Sequence, residues 1–334
     1  MKNQNKTAGV PGIPNTGFFG HPKGLFTLFF TEFWERFSYY GMRAILVLYL
    51  YAEVTKGGLG FDQATAMSIV AIYGSLVYLS GIIGGWIADR LLGTSQTVFY
   101  GGILIMVGHI VLSLPFGVEA FFISMIFIIL GTGLLKPNIS SIVGELYTKN
   151  DQRRDSGFSI FYMGINLGAF TAPFVVEKLR YEFGSFHAGF SAAAVGMFVG
   201  LIVYVITKKK NLGQLGEEVP NPLTGDEKKK YAISIIAAVM IAGVVLYALA
   251  AVNWLTIDRF ILLVTITAVI IPVVYFITMY RSPKTTGDER SRLLAYIPLF
   301  LSSVLFWAIY EQGANLLNIY ALERTNLTLL GQKI

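Results

Sequence analysis

The 334-residue chain contains no cysteine and little charge: Asp, Glu, Lys and Arg together make up 14% of it. The first absence removes disulfides, thiol catalysis and cysteine-based metal sites, while leaving the compartment open. The second, set against 54% hydrophobic residues and a mean hydropathy of +0.61, excludes a soluble domain of this length and is too even for a protein held by one anchor. Catalytic patterns are also missing. There is no HExxH, no exposed nucleophile with a base, and no strand–loop–helix context around Gly84-Gly85 or Gly101-Gly102 that would cradle a phosphate, so an enzyme is not expected. The polar first two dozen residues lack an apolar core, and no cleaved signal peptide is expected. The net charge of +6 sits in short Lys/Arg clusters at the ends of apolar runs, which points to membrane orientation and not to a nucleic-acid partner.

What is present is a series of apolar runs at about 25–51, 64–88, 97–116, 119–146, 156–177, 186–207, 231–252, 259–280 and 293–322, each near the length that crosses a bilayer. The expectation is an all-α polytopic membrane protein with roughly nine spans. With the N-terminus cytoplasmic, the inner loops hold Lys2, Lys6, Lys23, Arg90, Lys149, Arg153, Arg154, Lys208 to Lys210, Lys228 to Lys230 and the bases between 281 and 292, whereas few fall outside. Residues 1–24 then form a cytoplasmic N-terminus, 25–210 a six-helix bundle, 211–230 a polar cytoplasmic linker, 231–281 a helical hairpin and 282–334 one further helix. No acid or base interrupts 231–252 or 260–280, so the hairpin reads as lipid-facing packing. The odd span count and the lone charged last helix lead to the expectation of an incomplete protein or a fragment.

The first run is unlike the others because Glu32, Glu35, Arg36 and Arg43 lie inside it. Charge at that depth is costly and is tolerated mainly facing a bundle interior or a water-filled path. At 100° per residue Glu32, Arg36, Tyr39 and Arg43 share a narrow arc, flanked by Glu35 and Tyr40. With Lys136 and Glu311 the acids and bases at membrane depth are equal in number, the balance that a low-dielectric cavity requires. Static salt bridges would account for the charges but not for Tyr39, Tyr40, Tyr78, Asn166 and Trp307, which bring donors and flat apolar faces to the same depth. Separated cationic and anionic ends with aromatic walls suit a small zwitterion of variable side chain. Arg can fork a carboxylate, Lys adds a point charge, and Glu311 is a candidate proton carrier.

Lys136 stands directly before Pro137, which lacks an amide hydrogen and crowds the preceding turn, so the fourth run is predicted to kink or open there. Gly84 to Gly93 ends the second run with Asp89 and Arg90 and reads as a gating or packing joint, Asp89 capping a helix or pairing with a base. His109 is expected to be a hydrogen-bonded packing residue, and His21 and His187 to lie at the surface.

Glu32 to Gly41 (EFWERFSYYG) matches the ExxERFxYYG motif of the proton-dependent oligopeptide transporters, a branch of the major facilitator superfamily. Gly84–Gly93 resembles that family's first signature and Phe161–Phe170 (FYMGINLGAF) its second; Lys136-Pro137-Asn138 and Phe306–Gly313 also match. The resemblance implies a major facilitator fold: a six-helix bundle, an inserted hairpin and the first helix of a second bundle that is truncated here after the seventh core helix. It implies symport of di- and tripeptides with protons across the cytoplasmic membrane, with no cofactor beyond the coupling proton and with lipid as surroundings. Arg36 and Lys136 would then hold the peptide carboxylate and Asn166 the amino end, while Tyr39, Tyr40, Tyr78 and Trp307 line the pocket. Glu32 and Glu35 would belong to the coupling network, and Glu311 would carry the proton and pair with Arg43. Tyr310 departs from members with two successive acids. The same fold carrying another small anion or metabolite, or a non-transporting membrane receptor, are the alternatives.

Overall fold

The computed structural model describes residues 10, 12–254, 256–326, 328–329 and 332–333; Lys2, Lys6, Gly331 and Ile334 lie outside the described residues. Helices dominate: α1 (Gly24–Tyr51), α2 (Gln63–Ile87), α3 (Thr94–Leu112), α4 (Gly117–Glu145), α5 (Arg154–Phe183), α6 (Phe186–Asn211), α7 (Gly225–Ala251), α8 (Ile257–Arg281), α9 (Gly287–Tyr310) and α10 (Leu316–Arg324). A two-residue antiparallel ladder pairs Thr328 with Lys333 and Leu329 with Gln332. Among the described residues eight helical stretches are long and apolar enough to cross a membrane, the last of them running over α9 and α10. Helix α1, 28 residues long, has the length to cross as well but carries four charges.

The chain divides into two compact units, residues 1–60 with 76–232, and residues 61–75 with 233–334. In the first, α1 lies against α5 and α6, and α3 against α4 and α6. Because lipid is as apolar as Leu, burial alone does little to join such helices, and close backbone approach at small residues does more. Helix α5 shows how: its buried residues are Gly157, Phe161, Gly164, Gly168, Ala172 and Val176, one stripe at steps of three and four. A Cβ at Gly168 would overlap the Phe33 carbonyl oxygen, and one at Gly164 would press on the Phe29 ring. The seam therefore needs glycine at both positions and holds α1 at backbone distance. Leu25 and Leu28 of α1, Val98 and Ile105 of α3, Leu135 and Ile139 of α4, Phe161 of α5 and Met197 and Leu201 of α6 meet in a shared core.

Several expected boundaries move. Helix α3 starts early, at Thr94, because Gly93 turns the chain at φ 76°, and it stops at Leu112, ahead of Leu114-Pro115, where the residue before proline is pushed out of the helical region. Helix α4 runs through Pro137 unbroken, so it does not open there. The polar linker is not loose. After α6, Leu212 and Leu223 are buried, and the turns from one to the other hydrogen-bond to the junction of the second and third runs: Asn221 N to Asp89 O at 3.0 Å, Leu223 N to Arg90 O at 3.2 Å and Ser95 N to Gly216 O at 2.8 Å. Arg90 also pairs with Glu227 at 3.3 Å.

In the second unit, none of the described residues in the most apolar stretches of α7, α8 and α9 is buried. The last expected span is broken in two. Regular helix ends at Tyr310, Glu311–Ala314 tightens into a 3-10 turn, and Asn315 leaves helical geometry at φ −126° and ψ −97° before α10 begins. The side chain of Asn315 donates to Met67 O of α2 at 3.1 Å, and that of Gln312 takes up Ala308 O, a carbonyl near the end of α9, at 3.1 Å.

Candidate functional site

The arc on α1 forms as a buried ladder. Glu32, Glu35, Arg36, Tyr39 and Arg43 are all at most 6% exposed. The Arg36 guanidinium is forked by Glu35, with Nε on Oε2 and Nη2 on Oε1 at 2.6 Å, while Glu32 Oε1 lies 3.2 Å from Nε. One base thus answers two acids. Such a buried group is held by its partners and would be costly to strand. The second oxygen of Glu32 is buried without a hydrogen-bond partner. One turn further on, Tyr39 lies between two cations of its own helix: Arg36 is 4.9 Å from the ring centroid and Arg43 is 5.4 Å, with Arg43 Nη1 donating to the Tyr39 hydroxyl at 3.3 Å. The i, i+3, i+4 spacing read from the sequence produces these contacts directly. Tyr40, half-buried on the flank, meets Tyr39 edge to face at 5.2 Å.

Lys136 of α4 is half-buried, with Nζ 4.3 Å from the centre of the Tyr78 ring and within electrostatic reach of Glu32. Tyr78 is 50% exposed and so offers its other face. Asn166 is exposed on α5 and donates to Tyr162 O of its own helix at 2.9 Å. The α1 ladder, Lys136 and Tyr78 thus all belong to the first unit, and Gly168 ties α5 to the ladder by packing against the Arg36 Cβ.

Trp307 and Glu311 belong to the second unit. Trp307 is 46% exposed and packs against Tyr310 at 5.4 Å. Glu311 opens the 3-10 turn, half-buried, where α9 stops. Asp89 is exposed in the wide turn Ala88–Leu92 and contributes its backbone carbonyl to Asn221; the base beside it, Arg90, is the one that pairs with Glu227. No group of three or more His, Cys, Asp or Glu suited to a metal occurs among the described residues.

Two histidine expectations are corrected. His109 is fully buried in α3 and neither ring nitrogen has a hydrogen-bond partner, so it is a packing residue but not a bonded one. His21 is not at the surface: it is 6% exposed, with Nδ1 3.0 Å from the Tyr147 hydroxyl. Around it Arg153 binds Asp151 at 2.8 Å, Asn15 Oδ1 at 2.6 Å and Gly20 O at 3.0 Å, clasping the segment before α1 to the α4–α5 loop. Burial and the Arg153 charge hold the His21 pKa below 6.5, and burial pushes the Tyr147 hydroxyl up to about 12.

A many-helix membrane protein with a balanced ion cluster buried on its first helix is the class that this geometry defines. The model of the POT family matches residues 95–334. A protein named "Uncharacterized transporter YclF" from Bacillus subtilis (strain 168) is 60% identical over 96% of this chain and 64% of its own length. The "Di-/tripeptide transporter" of Lactococcus lactis subsp. lactis (strain IL1403) is 48% identical over 98% of the chain and 65% of its own length. A crystal structure of "peptide transporter POT in complex with sulfate" superposes with a TM-score of 0.93 at 62% identity, covering 96% of this chain and 65% of that one. The chain belongs to the POT family, and it spans a little under two thirds of the length of these relatives.

Proposed function

We propose that the chain forms the first bundle, the inserted hairpin and the first helix of the second bundle of a proton-coupled symporter for di- and tripeptides, multi-pass in the cell membrane with its N-terminus cytoplasmic. In this reading residues 25–210 are the bundle, 211–230 the linker, 231–281 the hairpin and 282–334 the start of the second bundle. The observation that carries it is the Arg36 guanidinium, buried between Glu35 and Glu32 with Lys136 within electrostatic reach, in a chain whose relatives are named as peptide transporters.

A peptide carboxylate can reach Arg36 only by displacing a carboxylate already there. Protonating Glu32 or Glu35 removes one negative charge and frees the fork, so that substrate carboxylate plus proton replaces one glutamate without leaving an unpaired buried ion. Lys136 supplies the second cation for the carboxylate, and Asn166 a polar partner for the amino end. Tyr39, Tyr40, Tyr78 and Trp307 give walls that accept varied side chains. Glu311 carries the proton through the cycle and exchanges it as Arg43 approaches or withdraws. Asp89, Arg90 and Pro137 serve the opening and closing of the path.

The test is uptake of a labelled dipeptide into vesicles under an imposed pH gradient, using a form extended to the relatives' full length. Accumulation above the outside concentration that collapses with a protonophore supports the proposal. Uptake indifferent to the gradient, or C-terminally amidated peptides competing as well as free acids, counts against it.

A further inference from the structure

Resting on Lys136 as a carboxylate-binding group, we infer that Asn138 is a positioning residue that fixes Lys136 by locking α4 against α2, in a seam made by Pro137 and Gly84. Pro137 has no amide hydrogen, so the carbonyl of Gly133, four residues earlier, loses its helical partner. In the structure that carbonyl does not face open space. It meets Gly84 of α2, so closely that a Cβ on Gly84 would overlap the Gly133 oxygen. Across the same contact the Asn138 amide nitrogen donates to Gly84 O at 3.2 Å and to Leu134 O of its own helix at 2.7 Å. One turn back Ser80 donates to Ile129 O at 2.8 Å, and a Cβ on Gly133 would strike Ser80.

The proline therefore creates a polar flaw in α4, and the neighbouring helix is shaped to receive it. Asn138 is 4% exposed, and its donor is fully committed to the two helices. Lys136 lies two residues before it, and the Tyr78 ring that Lys136 covers at 4.3 Å lies two residues before Ser80. Both binding groups thus sit on the two backbones that the seam clamps. A side-chain bond between helices at this depth also supplies the directionality that apolar packing in lipid lacks.

The test uses the absence of cysteine in the chain. Lys136→Cys gives a single thiol whose labelling rate by a soluble methanethiosulfonate reports its exposure. Adding Asn138→Ala should change that rate at least threefold, as should adding Gly84→Ala from the opposite helix. On the lysine background, in a form extended to the relatives' full length, Asn138→Ala should raise the dipeptide KM about tenfold with kcat within twofold and should shrink the preference for free-acid over amidated peptides. Asn138→Gln, which retains the donor, should recover part of each effect, and it serves as the readout if the alanine variant does not fold. Unchanged labelling in both the Asn138 and Gly84 variants overturns the inference. Changed labelling with an unchanged free-acid preference leaves the seam standing and instead removes Lys136 from the carboxylate site.

Discussion

Helices α1 and α7 are nearly the same length, 28 and 27 residues, yet they differ in burial in the opposite sense to a soluble protein. Helix α1 carries four charges and is buried along most of its length. Beyond Tyr231, α7 is uncharged and its described residues are almost all exposed, and among the described residues of α8 none is buried, although Ile261, Val264, Ala268, Pro272, Phe276 and Met279 are half-buried. In water the apolar helix would be the hidden one. In a bilayer the surroundings accept Ile, Val and Leu, so what must be hidden is polarity, and charge marks the interior. The charged helix α1 is therefore the one that marks the interior.

The sharpest way to break the contrast is to remove the base from α1. Arg36→Ala leaves Glu32 and Glu35 buried with no forked partner, and breaking a buried ion pair costs on the order of 3–5 kcal/mol. Thermal unfolding in detergent should show a marked loss of stability, and dipeptide accumulation by the extended form should vanish. Arg36→Lys, which keeps charge but not the fork, should recover stability more than transport. An alanine variant as stable as the parent would mean that the ladder does not neutralise itself.

Next in size is the seam that keeps α1 in place. Gly168→Ala drives a methyl group into the Phe33 carbonyl, and overpacking of this kind costs roughly 1–3 kcal/mol. The unfolding temperature should fall, while the same substitution at Gly243 of α7, where nothing lies within 4 Å of the added atom, should leave it unchanged or slightly raised. Equal effects at the two glycines would refute the distinction between a packed and a lipid-facing helix.

How far the sequence reveals this difference depends on which groups make the contacts. The α1 ladder was legible because side chains at helical spacing meet one another within one helix. Lys136 and Tyr78 were legible as residue types, but their juxtaposition needed the fold. The docking of residues 212–224 left no signal, since main-chain groups such as Asn221 N and Asp89 O make it. The break at Glu311 was hidden because Gly313 and Asn315 are weak helix-stoppers within an apolar run, and Asn315 acts through Met67, far away in the chain. His21 looked superficial because it lies in a polar terminal segment, and its burial comes from the α4–α5 loop.

That clasp predicts a smaller, pH-dependent effect outside the membrane. His21 faces the Tyr147 hydroxyl, Arg153 and Asp151, and its pKa in the folded chain lies below 6.5. As pH falls through 6.5 the unfolded segment takes up a proton that the folded one refuses, so the clasp is fully stable above that pH and weakens below it. Asp151, held below 3.8 mainly by its hydrogen bond from Arg153, adds a second loss only near and below that value. Hydrogen exchange across residues 12–23, corrected for its intrinsic pH dependence, should show protection falling between pH 7.5 and 5. In His21→Gln the slope should be lost. Protection constant over that range in the parent chain would contradict the assignment.

The smallest effect is expected where the chain is most apolar. Among the hairpin's described side chains, Phe276 lies 5.3 Å from Phe300 and 6.1 Å from Tyr296 of α9, the Tyr280 ring lies 6.0 Å from the Arg290 guanidinium and the Trp254 ring 5.1 Å from that of Arg259, and its membrane stretches hold no Asp, Glu, Lys, Arg or His. The anchoring contacts come at or before its first residue, in Arg90–Glu227 and in the Trp86–Tyr231 ring pair at 5.3 Å. Replacing residues 233–280 with a flexible Gly/Ser linker that retains those contacts should therefore spare the α1 ladder. Such a linker has an r.m.s. reach of about 5–6 Å times the square root of its length, so about 30 residues span roughly 30 Å. Dipeptide uptake by the extended form should stay within twofold of the parent, and labelling of Lys136→Cys should not change. A well-inserted replacement that abolishes uptake while the thiol labels normally would show that the hairpin acts on transport through the second unit, and apolar exposure in this chain would then no longer imply a passive helix.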